Sequence, residues 1–250
     1  MRVLVTRPEP DAGALAVELQ KLGHEAVIQP LMEFHVLDFD PAPLKTAGGL
    51  IFTSRNGLRA LLERFDPAGI AGCPVFCVGG ETESALRRAG FQTVAAVADT
   101  AERLAGEIAL RAAKGASLVH VTGEHRAFDL VRALALDGIP VATLRVYEMR
   151  ARSAFESALV EAFEAGSIGG VILMSPRTAE IFVTLCERHG LFERAKSLGY
   201  FCLAKSVSNR LKPLDPVHVH VARKPERAAL LKLLPTPGQD PVRQDADRNS

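Results

Sequence analysis

The chain has 250 residues, 48% hydrophobic and 24% charged, and its 30 basic and 29 acidic side chains leave a net charge of +1. Those are the proportions of an ordinary globular protein of one or two domains, and the charge balance argues against a nucleic-acid footprint. No run approaches the roughly 20 apolar residues of a membrane span, and Met1-Arg2-Val3-Leu4-Val5-Thr6 enters a strand pattern at once, so no signal peptide and a cytoplasmic location are expected.

Strand and helix patterns alternate throughout. Residues 2 to 6 read as a strand. Asp11 to Leu22 carries an apolar stripe at Leu15, Leu19 and Leu22 and stops at Gly23. A strand follows from Glu25 to Ile28, and Leu31 to Leu37 continues extended into a proline-rich stretch from Asp38 to Pro43. The middle of the chain predicts strands over 49–53, 74–78, 92–97 and 117–122, with helices over 56–65, 82–89, 101–113 and 127–136. Thr100 is the expected N-cap of the third of these helices, and Gly90 and Gly138 end the second and fourth.

Pro140 to Met149 is long and rich in strand formers, and Ser153-Ala154-Phe155-Glu156 predicts a capping box opening a helix over 154–165. Strands are then expected over 170–174, 199–204 and 217–221, with helices over 177–189, 206–212 and 226–234. The proline-rich stretch from Asp38 to Pro43 and the stretch 140–152 read as the two crossings between domains. One domain is then assembled from residues 1–35 and 152–234, the other is the continuous insert 36–151, and 235–250 is a polar tail expected to be disordered.

The chain also repeats itself. Leu50-Ile51-Phe52-Thr53-Ser54-Arg55 answers Val171-Ile172-Leu173-Met174-Ser175-Pro176-Arg177, and Val75 to Thr82 answers Tyr200 to Val207. Val3-Leu4-Val5-Thr6-Arg7 likewise answers Leu118-Val119-His120-Val121-Thr122-Gly123. The expectation is two similar α/β units with parallel sheets facing each other across a cleft, where ligands meet the carboxyl ends of strands.

Each repeated strand ends in groups suited to an anion: Thr6 and Arg7; Ser54, Arg55 and Asn56; Gly79, Gly80 and Thr82; Thr122 and Gly123; Ser175, Pro176 and Arg177; Lys205 and Ser206. Helix N-termini add unpaired N–H groups and a positive dipole end. Singly, such Ser and Thr residues are plain N-caps; six in a duplicated frame point to a ligand with several anionic groups. No Gly-x-Gly-x-x-Gly follows the first strand and no P-loop is present, so nucleotide binding lacks its usual support. No Gly-x-Ser-x-Gly elbow marks a serine nucleophile, and Glu124 and His125 read as solvated loop residues. Cys73, Cys77, Cys186 and Cys202 lack metal-site spacing and read as reduced thiols. His218 and His220 share a strand face without a third ligand, so no metal is expected.

Val5-Thr6-Arg7-Pro8, Phe52-Thr53-Ser54-Arg55-Asn56-Gly57, Val78-Gly79-x-x-Thr82, Val146-Tyr147 and Met174-Ser175-Pro176, taken in order, resemble uroporphyrinogen-III synthase over residues 1 to about 234. Where that family tends to show Gly-Pro-Thr-Thr, this chain has Ala204-Lys205-Ser206-Val207, which removes a hydroxyl at 207. The resemblance implies two flavodoxin-like domains joined by a two-stranded β crossing, and a cofactor-free lyase acting in tetrapyrrole (heme) biosynthesis. Its substrate would be hydroxymethylbilane, passed on by hydroxymethylbilane synthase, and its product uroporphyrinogen III. It implies no nucleic-acid or membrane partner, and a monomer is expected because the cleft needs one chain. Tyr147, in the return crossing, is the side chain it implicates in catalysis, as a protonated phenol able to donate to a departing hydroxyl. A non-catalytic two-domain clamp for a small anion is the alternative; a pair of phosphorelay receivers lacks the acidic cluster it would need.

Overall fold

In a computed structural model, the structure describes residues 1–124 and 128–236. The elements in chain order are β1 (Arg2–Val5), α1 (Asp11–Lys21), β2 (Glu25–Ile28), β3 (Met32–Val36), α2 (Ala42–Lys45), β4 (Gly49–Phe52) and α3 (Arg55–Arg64). A 3-10 turn at Pro67–Ile70 leads to β5 (Val75–Val78), α4 (Gly80–Arg88), β6 (Val94–Ala98), α5 (Ala101–Arg111), β7 (Leu118–Gly123), α6 (Leu130–Leu136) and β8 (Val141–Ala151). The rest comprises α7 (Ser157–Glu164), β9 (Gly170–Leu173), α8 (Pro176–Arg188), α9 (Phe192–Lys196), β10 (Gly199–Cys202), α10 (Lys205–Ser208), β11 (His218–Val221) and α11 (Arg227–Leu231).

The chain divides into two compact units, one of Met1–Glu33 with Arg150–Ser250 and one of Phe34–Met149. The boundaries fall inside β3 and β8. Leu37 N–H donates to Val146 O at 2.9 Å and Arg152 N–H to Leu31 O at 3.0 Å, a pairing in which one strand's number rises as the other's falls, so these two strands run antiparallel.

The first unit holds a five-stranded sheet in the order β11-β10-β9-β1-β2, with every pair parallel. Read from β2, this is the 2-1-3-4-5 order of flavodoxin-like folds. Strand residues alternate between faces. Val3, Val5, Ile172 and Phe201 pack with α1 residues Leu15 and Leu19, whereas Leu4, Val171, Leu173, Tyr200 and Cys202 pack with α8 residues Phe182, Leu185 and Cys186. Both faces are therefore dry, as a parallel sheet requires.

The second unit holds six strands in the order β3-β8-β7-β4-β5-β6. Leu50, Phe52, Val75, Cys77, Val119 and Val121 build one core; Ile51, Phe76 and Leu118 build the other with α5 residues Leu104 and Ile108. Setting β8-β7-β4-β5-β6 beside β2-β1-β9-β10-β11 places β7 opposite β1, β4 opposite β9 and β5 opposite β10. These are the three pairs of repeated sequence. The two sheets share one strand layout, but the chain enters the second at its middle strand, a circular permutation of the first.

Several helices differ from the sequence expectation. The capping box at Ser153 does not form, and α7 begins at Ser157 with Glu156 as N-cap. Its N–H groups are claimed elsewhere: Phe155 N–H donates to His189 Nε2 at 3.1 Å and Glu156 N–H to Gln29 Oε1 at 3.2 Å. The helix expected over 206–212 is four residues of α10 followed by a 3-10 segment, Asn209–Leu214, containing Pro213, whose ring nitrogen has no proton to donate. The helix expected over 226–234 shortens to Arg227–Leu231, and α4 starts at Gly80, two residues early. Residues 125–127, including His125, and 237–250 of the expected tail lie outside the described residues. Among the described residues no helix is long and apolar enough to cross a membrane.

Candidate functional site

In the second unit the chain reverses direction across its sheet between β4 and β7, the position where open α/β sheets bind ligands beyond their strand ends. Ser54 follows β4 with extended backbone, φ −159° and ψ 146°, and its Oγ accepts from Asn56 N–H at 3.1 Å, capping α3. Three residues on, Gly57 lets α3 settle against β7, where a Cβ would stand 2.8 Å from Val121 O. Arg55 is half-exposed and pairs with Glu81 at 3.2 Å, joining the starts of α3 and α4. Gly79 caps α4 at φ 81°, a left-handed conformation that glycine adopts without strain, and its N–H donates to Ala98 O at 2.9 Å. Gly80 is exposed, while Thr82 and Thr122 are 4% and 5% exposed.

Tyr147 joins this group through a bulge. Thr122 pairs with Arg145 but Gly123 pairs with Tyr147, so β8 carries one residue more than β7 at this step. The phenol ring lies against the Gly123 backbone: a Cβ there would meet Tyr147 Cζ at 2.6 Å and Cε2 at 2.8 Å. From the strand on the other side of β8, Phe34 stacks on the ring with centroids 5.3 Å apart and planes 29° apart. Burial pushes the phenol's pKa above its ordinary value, and side-chain hydrogen bonding from Ser54, which favours the phenolate, offsets this only in part. At neutral pH the group is a proton donor.

Sequence reasoning missed three neighbours. Thr53 Oγ1 lies 3.1 Å from Nε2 of His120, which is 1% exposed on β7. A histidine inside the apolar run Leu118-Val119-His120-Val121 was the available signal. Phe34 and Arg59, whose guanidinium carbon lies 4.4 Å from the Phe34 ring centre, carry no local signature.

In the first unit the reversal falls between β1 and β9. Thr6, 1% exposed, donates its hydroxyl to Ile172 O at 3.0 Å, so its side chain ties the two strands. Arg7 is half-buried, paired with Asp11, with Nη1 3.4 Å from Met174 Sδ. Ser175 caps α8: its Oγ accepts from Thr178 N–H at 3.1 Å and lies 2.7 Å from Thr178 Oγ1. Pro176 occupies the first helical position, where its missing N–H costs nothing, and Arg177 follows, half-buried. After the next strand, β10, Lys205 and Ser206 are exposed at the start of α10, whose N-cap Ala204 makes no side-chain bond.

The structure thus brings Gly123 and Tyr147 into direct contact, sets Ser54, Arg55, Asn56, Gly79, Gly80, Thr82 and Thr122 at the same end of the second sheet, and sets Thr6, Arg7, Ser175, Pro176, Arg177, Lys205 and Ser206 at the corresponding end of the first. The four cysteines are free thiols; burial pushes Cys77 up to about 11 and Cys202 to about 12, with Cys73 and Cys186 also raised. They are inert as nucleophiles at neutral pH.

A family model described as uroporphyrinogen-III synthase HemD matches residues 13–232. A curated relative, the porphyrin biosynthesis protein HemD of Ruminiclostridium josui, is 27% identical over 105 residues, which is 36% of this chain but 20% of that protein. The match thus spans about a fifth of the relative's length. Among solved structures, uroporphyrinogen-III synthetase from Helicobacter pylori aligns over 93% of this chain and 96% of its own, with TM-score 0.62 and 20% identity. A mutant uroporphyrinogen III synthase from Thermus thermophilus aligns over 98% and 99%, with TM-score 0.53 and 19% identity. At these identities the structures speak for the fold.

Proposed function

This chain belongs to the uroporphyrinogen-III synthase HemD family, and we propose that it carries out the reaction that name describes. Hydroxymethylbilane, a linear tetrapyrrole, loses its terminal hydroxyl as water. The last pyrrole then attacks through its already substituted carbon to give a spiro-pyrrolenine, and the ring recloses with that pyrrole inverted. The substrate's eight carboxylates match the many strand-end cations and helix N-termini, and holding it folded supplies the proximity the inversion needs. In this reading the protein works as a monomer in the cytoplasm on substrate released by hydroxymethylbilane synthase, with no cofactor.

The observation that carries the catalytic assignment is the part-buried phenol of Tyr147, seated against the Gly123 backbone beside the point where the sheet reverses direction. Tyr147 donates its proton to the departing hydroxyl as the carbon–oxygen bond breaks, so that water rather than hydroxide leaves. Arg7, Arg55, Arg177 and Lys205 are the carboxylate partners, assisted by backbone N–H groups after Ser54, Gly79 and Ser175. Arginine suits this role because its planar fork meets both oxygens of a carboxylate.

The test is product isomer analysis. Freshly generated hydroxymethylbilane is supplied to the purified protein, the products are oxidised, and the uroporphyrin isomers are separated. Predominantly type III product, against type I in a control without protein, is expected. Type I alone from folded protein would overturn the assignment.

A further inference from the structure

We propose that Phe34 and Gly123 are positioning residues for Tyr147, gripping its ring from the two strands that flank β8. The inference rests on the catalytic reading of Tyr147, and it assigns work to two residues outside every repeated motif's polar set or known only as a strand end.

A phenol on a strand has two side-chain torsions to settle, and a hydrogen bond at its tip does not by itself fix the plane of the ring. Gly123 removes the obstacle on one side. Its missing side chain leaves the space that the ring fills, with three ring carbons within 3.0 Å of where a Cβ would stand. The backbone continues the grip, since Glu124 N–H donates to Tyr147 O at 3.2 Å. Phe34 closes the other side, with centroids 5.3 Å apart and planes 29° apart, inside the range where aromatic pairs attract. Phe34 is held in turn, because the Arg59 guanidinium carbon sits 4.4 Å from its ring centre, a cation–π distance. The bulge between Thr122 and Gly123 brings Tyr147 opposite Gly123, where Val146 would otherwise stand. Ser54 then meets a ring whose plane is already set. A donor aimed at one departing oxygen depends on that setting, because misplacement by about 1 Å can cost on the order of 100-fold in rate.

The chain itself offers a readout that does not depend on turnover. It has no tryptophan and only two tyrosines, and Tyr200 is fully buried with its hydroxyl donating to Ala195 O at 2.9 Å. The first phenol to ionise in a near-ultraviolet pH titration is therefore Tyr147, an assignment checked with Tyr147→Phe. In Phe34→Leu, which keeps an apolar side chain but opens the ring to water, Tyr147 is expected to ionise at lower pH than in the wild type. Turnover number is expected to fall on the order of 10-fold while KM stays within about twofold. Gly123→Ala is the second variant: its methyl displaces the ring and should shift the same titration. Folded variants that titrate as the wild type does, with KM rising instead of turnover falling, would overturn the proposal. The catalytic reading fails separately, if Tyr147→Phe turns over as fast as the wild type.

Discussion

Thr6 Oγ1 donates to Ile172 O at 3.0 Å, so the hydroxyl at the end of β1 ties that strand to β9 where the first sheet reverses direction. A fully buried hydroxyl with a partner serves stability first. Thr6→Val keeps the shape and leaves the Ile172 carbonyl without that donor. A loss of about 1–2 kcal/mol in denaturant unfolding is expected, with KM changed less than twofold. A large rise in KM with unchanged stability would show that the hydroxyl also reaches substrate.

Tyr147→Phe removes one oxygen atom and keeps the ring that Phe34 and Gly123 contact. Turnover should fall about 100-fold or more, the scale of a lost general acid, while the thermal midpoint moves by only a few degrees. Initial rates on hydroxymethylbilane with isomer separation measure this. Retained turnover would take Tyr147 out of the chemistry.

Ser54 and Ser175 occupy equivalent strand ends and both cap helices, through Asn56 N–H and Thr178 N–H respectively. Either serine replaced by alanine should cost about 1 kcal/mol. Only Ser54 also draws the phenol's pKa down. Ser54→Ala should therefore make Tyr147 ionise later than in the wild type, whereas Ser175→Ala should leave the titration in place. A phenol indifferent to Ser54→Ala would break the link between cap and acid.

Stability should be greatest in a window set by buried titrating groups. On the alkaline side, Cys77 and Cys202 are raised to about 11 and about 12 from 9.0. Below pH 9.0 these thiols are protonated in both folded and unfolded chains and favour neither. Above it the unfolded chain ionises first, so stability is lost as pH rises toward the folded values, and Tyr147 and Tyr200 act in the same direction above 10.0. Each such group steepens the loss by up to about 1.4 kcal/mol per pH unit. On the acid side, burial and then His218 lower the pKa of His220, which stacks on Phe201 at 5.3 Å. Its contribution is present above pH 6.5 and declines as pH falls through the lowered value. Denaturant midpoints from pH 5 to 11 measure both limbs; a flat alkaline limb would contradict the burial of the thiols.

Lys205 is exposed and replaces the proline of the related pattern. Lys205→Gln should raise KM on the order of 10-fold, the loss of one charge-assisted bond to a carboxylate, with turnover number and thermal midpoint unchanged. An unchanged KM would remove this side chain from substrate recognition.

The order of the strands and of the longer helices, the three repeated strand pairs and the strand-end groups were legible in the sequence, whereas the short helices α2 and α9 were not, because strand and helix periodicities are local, a buried parallel strand needs an unbroken apolar run, and four or five residues are too few to show a helical period. The pairs β1 with β7, β4 with β9 and β5 with β10 were legible for the same reason. The failed capping box at Ser153 marks the boundary of such reading: it met the local rule, but Gln29 and His189, far away in sequence, took the N–H groups around it. Tertiary structure alone decided that β4 lies between β7 and β5, that β8 bulges to seat Tyr147 on Gly123, and that Phe34 and Arg59 support that ring. Each of these is a contact between segments separated by tens of residues. Such contacts are chosen by the simultaneous packing of both sheet faces, and no window along the chain contains both partners.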